Sequence, residues 1–180
     1  MLDIFSLFLY NNYKTVKKHT TRKSMNLVTV TGGKKSEREA VESMAHYVIN
    51  KLMPRMRTLD IEIEIKDFGY DTSCGYCLPA GHASGTSPRD FEIEINKDLE
   101  MRTMLETIAH EMVHVKQYAR NELKQIDADT HRWMGDIVSN EDVEYWDLPW
   151  EVEAHGRETG LFVRWAEDNG YTGKWTKSRR

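Results

Sequence analysis

From Ala40 onward, apolar residues return every third or fourth place: Ala40, Val41, Met44, Ala45, Val48, Ile49 and Leu52. That is one face of an amphipathic helix. Ser36-Glu37-Arg38-Glu39 reads as a capping box at its start, and Pro54 closes it after Met53. The period then drops to two. Ile61, Ile63 and Ile65 alternate with Glu62, Glu64 and Lys66, and Phe91, Ile93 and Ile95 alternate with Glu92, Glu94 and Asn96. The pattern predicts half-buried strands over 59–66 and 91–96. Between them, residues 68–90 carry four glycines and two prolines, which predicts a long turn-rich loop. Asn96 and Asp98 offer capping groups for a second helix, about 98–121, on the stripe Leu105, Ile108, Ala109, Met112, Val113, Tyr118 and Ala119. A short strand is expected within 132–138. Pro149 suits the first turn of a last helix, about 150–169, which turns Ala154, Leu161, Phe162 and Trp165 inward and stops at Asn169-Gly170.

At 180 residues the chain is expected to form one α+β domain, from about residue 25 to 170. Residues 2–10 are apolar and 14–23 basic, the reverse of a signal peptide. Met25 opens Met-Asn-Leu-Val-Thr-Val-Thr, which reads like a first strand, so 1–24 is expected to be an extension outside the fold, with an upstream start codon as its source. Residues 171–180 read as a basic, solvated tail. No apolar run is long enough to cross a membrane. A net charge of −4 gives no whole-chain footprint for nucleic acid. Two cysteines are too few for a disulfide framework, which points to a reducing compartment and a cytoplasmic location.

The chemistry is concentrated in His110-Glu111-Met112-Val113-His114, an H-E-x-x-H motif in the middle of the second helix. A spacing of four projects both imidazoles from one helical face, where they can hold one Zn²⁺. Glu111 then stands where a carboxylate can take a proton from an attacking water. Two uncommitted histidines on an apolar face would be costly, which favours ligation over a structural role. A catalytic zinc usually takes three protein ligands, and the third belongs on the last helix. Glu151 and His155 share a face there, with Glu158 one turn on; Glu153 is the alternative ligand. No histidine follows His114 until His131, so a third histidine close behind the motif is excluded.

These motifs resemble the gluzincins, zinc peptidases with two histidines and a glutamate as ligands. Glu151-Val152-Glu153-Ala154 matches the E-x-x-A pattern that opens on the third ligand in that clan, which nominates Glu151. The run Pro149-Trp150-Glu151-Val152-Glu153-Ala154 resembles small phage-encoded metallopeptidases of the SprT-like or ImmA/IrrE-like kind. The resemblance covers about residues 59–166 and implies a zincin-like fold, a Zn²⁺ cofactor and a peptide or protein substrate. Glu111 would be the general base. Tyr145, His155 and His131 are candidate partners for the developing oxyanion. Substrate would lie against an edge strand, for which 91–96 is the candidate; its outward Glu92 and Glu94 would favour basic peptides. The chain departs from the pattern at His155, where Asp or Asn is usual. It also lacks a four-cysteine ribbon, so a DNA-repair role does not carry over. The reading from another class is a binding module that keeps the metal shell without catalysis.

Cys74-Gly75-Tyr76-Cys77 has metal or redox spacing, with His82 as one further ligand candidate and no fourth nearby. Loop packing is the expected role of both cysteines. Trp146 and Trp150 flank Pro149 as candidate walls of a cleft.

Overall fold

The computed structural model describes residues 25–80, 87–171 and 173. The expectations for residues 1–24, for His82 and for the tail beyond 173 lie outside them. Within them the chain is a mixed α+β fold of three α-helices and two sheets.

The first sheet has four strands: β1 (Leu27–Gly32), β2 (Asp60–Lys66), β3 (Gly75–Pro79) and β4 (Asp90–Asn96), in the order β1-β2-β4-β3. β1 and β4 flank β2 in parallel, and β3 runs antiparallel to β4. The alternation dictates two unlike faces. Ile61, Ile63, Ile65, Phe91, Ile93 and Ile95 are all buried on one, while the acidic residues between them stay on the other. Two helices cover the apolar face: α1 (Lys35–Leu52) and α2 (Met101–Ala119). A third, α3 (Pro149–Asp168), packs on α2, and the Trp165 indole N–H donates to Ser43 Oγ at 3.0 Å, tying α3 to α1. From Thr107 to Ala119 every residue of α2 is buried, so this helix is the centre of the molecule. Arg89 donates to the Ala119 carbonyl at 2.8 Å and satisfies one of the helix's last acceptors.

Four expectations need correction. Ser36 does not cap α1: the helix already begins at Lys35, and Glu37 accepts the Lys34 amide at 2.7 Å. The loop between the two alternating strands contains β3, so 91–96 is an interior strand and not the edge. Gly75 makes this possible, since a Cβ there would stand 2.8 Å from the Thr107 methyl of α2. The short strand within 132–138 is two strands, β6 (Thr130–Trp133) and β7 (Asp136–Ser139), because Met134 and Gly135 adopt positive φ and reverse the chain. With β5 (Leu123–Gln125) they form the second sheet. Among the described residues no helix is long and apolar enough to cross a membrane.

Candidate metal centre

A spacing of four along α2 stacks His110 and His114 on one face, with their Nε2 atoms 3.1 Å apart. Pro149 starts α3 with a fixed φ and so sets how that helix enters. Glu151 follows in its first turn and faces the pair. Its Oε2 lies 3.3 Å from His110 Nε2, and its Oε1 lies 3.4 Å from His114 Nε2. All three side chains are buried.

Each imidazole is held from behind. His110 Nδ1 donates to Glu158 Oε2 at 2.9 Å, since a carboxylate can only accept. His114 Nδ1 donates to Gln117 Oε1 at 2.8 Å. Gln117 is itself oriented: its amide N–H groups donate to the Trp150 carbonyl at 2.9 Å and to Glu153 at 3.1 Å. Nδ1 of both rings therefore carries a proton, and Nε2 is the nitrogen turned to Glu151.

The histidines and carboxylates of the cluster set one another's charge. Burial by itself would strip His110 of its proton, but the hydrogen bonds to Glu151 and Glu158 outweigh it and push His110 up to about 10. Burial likewise opposes a charge on His114, and Glu151 overcomes it. Burial raises Glu151, yet His114 and His110 pull it well below the carboxylate range. Glu111 is the exception. Burial lifts it above an ordinary carboxylate against the pull of both histidines, and no hydrogen bond to its carboxylate is found among the described residues.

Over the cluster lies an aromatic wall. Tyr145, in a short 3₁₀ turn before α3, donates its hydroxyl to Glu151 Oε2 at 2.8 Å. Burial and then the Glu151 charge raise the phenol far above its usual range, so it stays a donor. The His155 ring lies 4.5 Å from the His110 ring and 4.8 Å from the Trp146 ring. His155 Nδ1 meets Glu158 Oε2 at 3.2 Å, so one carboxylate orients two imidazoles. His155 Nε2 is buried and has no hydrogen-bond partner among the described residues.

Two groups of side chains could hold a metal ion: His110, His114 and Glu151, all buried, and His110, His155 and Glu158, which is more open. The first uses the Nε2 atoms that face Glu151, and the second draws on the His110 Nδ1 already committed to Glu158. Of the residues singled out in the sequence, His110, Glu111, His114, Tyr145, Glu151 and His155 come together. His131 packs instead against the Trp150 ring at 4.9 Å and belongs to neither group. Glu153 is taken up by Lys116 at 2.6 Å, Arg157 at 2.9 Å and Gln117 at 3.1 Å. Cys74 is exposed and Cys77 is buried, both as free thiols.

Sequence reasoning missed Gln117 altogether and gave Glu158 no role. The signal was there. Gln117 lies three residues beyond His114, and Glu158 lies seven beyond Glu151, both on the helical face that carries the ligand.

No protein-family model, curated protein or solved structure matches the chain. The fold and site by themselves define a mixed α+β protein with a buried His/Glu cluster that could hold a metal ion.

Proposed function

We propose that the chain is a zinc-dependent peptidase of the gluzincin kind. The spacing of the three donors carries this reading. A tetrahedral zinc with bonds of about 2.0–2.1 Å separates its ligand atoms by about 3.3–3.4 Å. Here the two Nε2 atoms lie 3.1 Å apart, and each has its own Glu151 oxygen, Oε2 at 3.3 Å from His110 and Oε1 at 3.4 Å from His114, with one donor from each residue within 4.8 Å of the others. Both Nδ1 atoms are already committed elsewhere, which leaves the two Nε2 atoms and the Glu151 carboxylate as the donors for the ion.

Zinc held by His110, His114 and Glu151 would supply a Lewis acid that polarises a peptide carbonyl and makes water more acidic. Glu111 takes the proton of the attacking water and returns it to the leaving amine. Tyr145 and His155 stand beside the ligands, where a hydroxyl proton turned from Glu151 or a doubly protonated imidazole would face the oxyanion. The substrate strand adds along β3, the sheet edge packed on α2, and not along 91–96. A carboxylate beside the ligands with no hydrogen bond among the described residues favours catalysis over a binding module, which has no use for a base there.

Elemental analysis of the purified chain should find about one zinc, and none after His110→Ala with His114→Ala. Glu111→Gln should keep the metal while peptide cleavage falls by a factor on the order of 10² or more. Full zinc in the double variant removes the site. Full activity in Glu111→Gln removes the mechanism.

A further inference from the structure

The metal cluster is nearly closed to solvent, and what is open beside it is aromatic. His110, His114 and Glu151 keep 10%, 9% and 2% of their side-chain surface. Next to them the His155 side chain keeps 31%, Tyr145 is 45% exposed and Trp146 is 69% exposed. Trp150 and Trp165 show how this chain otherwise treats an indole, at 3% and 1% exposed. Leaving Trp146 in water forfeits the burial of one of the largest apolar side chains.

A single exposed apolar residue needs no explanation by itself. Trp146 differs because the site holds it. Its ring meets the His155 ring at 4.8 Å and 34° and the Tyr145 ring edge-on at 5.3 Å. His155 in turn lies 4.5 Å from the His110 ring, and the Tyr145 hydroxyl donates to Glu151. The Trp146 ring is therefore within about 9 Å of the His110 ring, a reach of about three residues of extended chain. A peptide bound at the metal passes this ring.

The charge around the ring selects what it holds. From Trp133 to Gly156 the chain has seven carboxylates and no Lys or Arg. Glu144 and Asp147 flank Tyr145 and Trp146, are exposed, and form no ion pair among the described residues. A cation over an indole face is attracted by the ring quadrupole, and the neighbouring carboxylates add to that attraction. An apolar side chain would gain from the ring alone. Glu92 and Glu94, the residues that the sequence offers for the same preference, stand on the sheet face away from the helices and do not line the cluster.

We propose that Trp146 is a specificity-determining residue of this site and takes the ammonium or guanidinium of a Lys or Arg within about three residues of the bond that is cut. The inference rests on the peptidase reading and adds a substrate class to it.

Two pools of short peptides test it. They share random uncharged residues at every position but the central one, which is Lys in one pool and norleucine, its uncharged isostere, in the other. Binding is read by fluorescence anisotropy on the full zinc-loaded chain carrying Glu111→Gln, so that turnover does not consume the probe. Cleavage is read by mass spectrometry on the unsubstituted chain. The Lys pool should bind about three- to thirtyfold more tightly than the norleucine pool, the scale of a cation on an aromatic face. It should be cut faster in the same proportion. Trp146→Ala should bring the two pools to within a factor of about two of each other, and Trp146→Phe should keep part of the difference. Zinc content and circular dichroism should match the parent in both variants, since Trp146 is exposed. If Trp146→Ala does not fold, Trp146→Phe carries the comparison. Equal binding of the two pools, or binding of neither, overturns the proposal. A preference that survives Trp146→Ala also overturns it. Cleavage of both pools without preference removes the subsite and leaves the peptidase reading in place. A Trp146-dependent preference in binding with no cleavage of either pool keeps the subsite and removes the peptidase reading.

Discussion

The two faces of the four-stranded sheet treat charge in opposite ways. On the helix side, opposite charges are gathered and buried. Lys116, 5% exposed, sits between Glu122 and Glu153 at 2.6 Å each, and His110 sits between Glu151 and Glu158. On the other side, carboxylates of one sign stand side by side, with Glu64, Asp90 and Glu92 exposed. Two like charges 4–5 Å apart cost about 1 kcal/mol in water and several times more at a low effective dielectric. The exposed face can therefore carry repulsion that the interior cannot. It follows that removing a buried partner strands its neighbours, whereas changing an outer carboxylate costs little.

Glu151 tests the buried half of that contrast most severely. Glu151→Gln takes the carboxylate from between two imidazoles and should weaken zinc binding strongly, read by chelator competition. Glu153→Gln should weaken it only mildly, because Glu153 is engaged by Lys116, Arg157 and Gln117. The reverse ranking would mean that the register of α3 over α2 is wrong. Glu158 comes next. Glu158→Gln keeps the shape but weakens the acceptor that fixes His110 Nδ1. Zinc affinity should fall 10- to 100-fold, the usual scale for a residue that orients a metal-binding histidine. Glu158→Asp should not restore it, since the shorter chain cannot span to both His110 and His155. An unchanged affinity in Glu158→Gln would reduce this contact to a surface hydrogen bond.

The contrast also explains what could be read from the sequence. The core strands were legible because one face is buried and the other wet, which writes a period of two into Ile61 to Lys66 and Phe91 to Asn96. The ligands were legible because helical spacing alone brings His110 to His114, and because Pro149 marks the start of α3. β3 was not legible. Gly75 and Pro79 are poor strand formers, and the segment is a strand only because β4 offers it an edge and Gly75 admits Thr107. β5 has three residues, and β7 exposes Ile137, so neither carries a burial pattern to read. Gln117 and Glu158 were missed for a related reason. Their roles depend on which nitrogen of each histidine they meet, and that is decided by tertiary packing.

Removing residues 1–24 tests the exposed half and should have the smallest effect. The metal ligands and their supports lie between His110 and Glu158, on the far side of the sheet from these carboxylates. Zinc content should stay at about one per chain. Any contact of the basic residues 14–23 with exposed carboxylates would be a surface ion pair, worth about 0–1 kcal/mol. In a domain of this size about 1 kcal/mol moves the melting temperature by about 2–4 °C. A drop of that order is expected in low salt, and it should vanish at about 0.5 M salt, where screening acts within a few ångströms. Calorimetry of both chains in the two buffers gives the comparison. A fall of more than 10 °C that salt does not remove would exceed what exposed ion pairs supply. It would instead place the apolar run of residues 2–10 against the core, and the two faces of the sheet would then differ less than their charges imply.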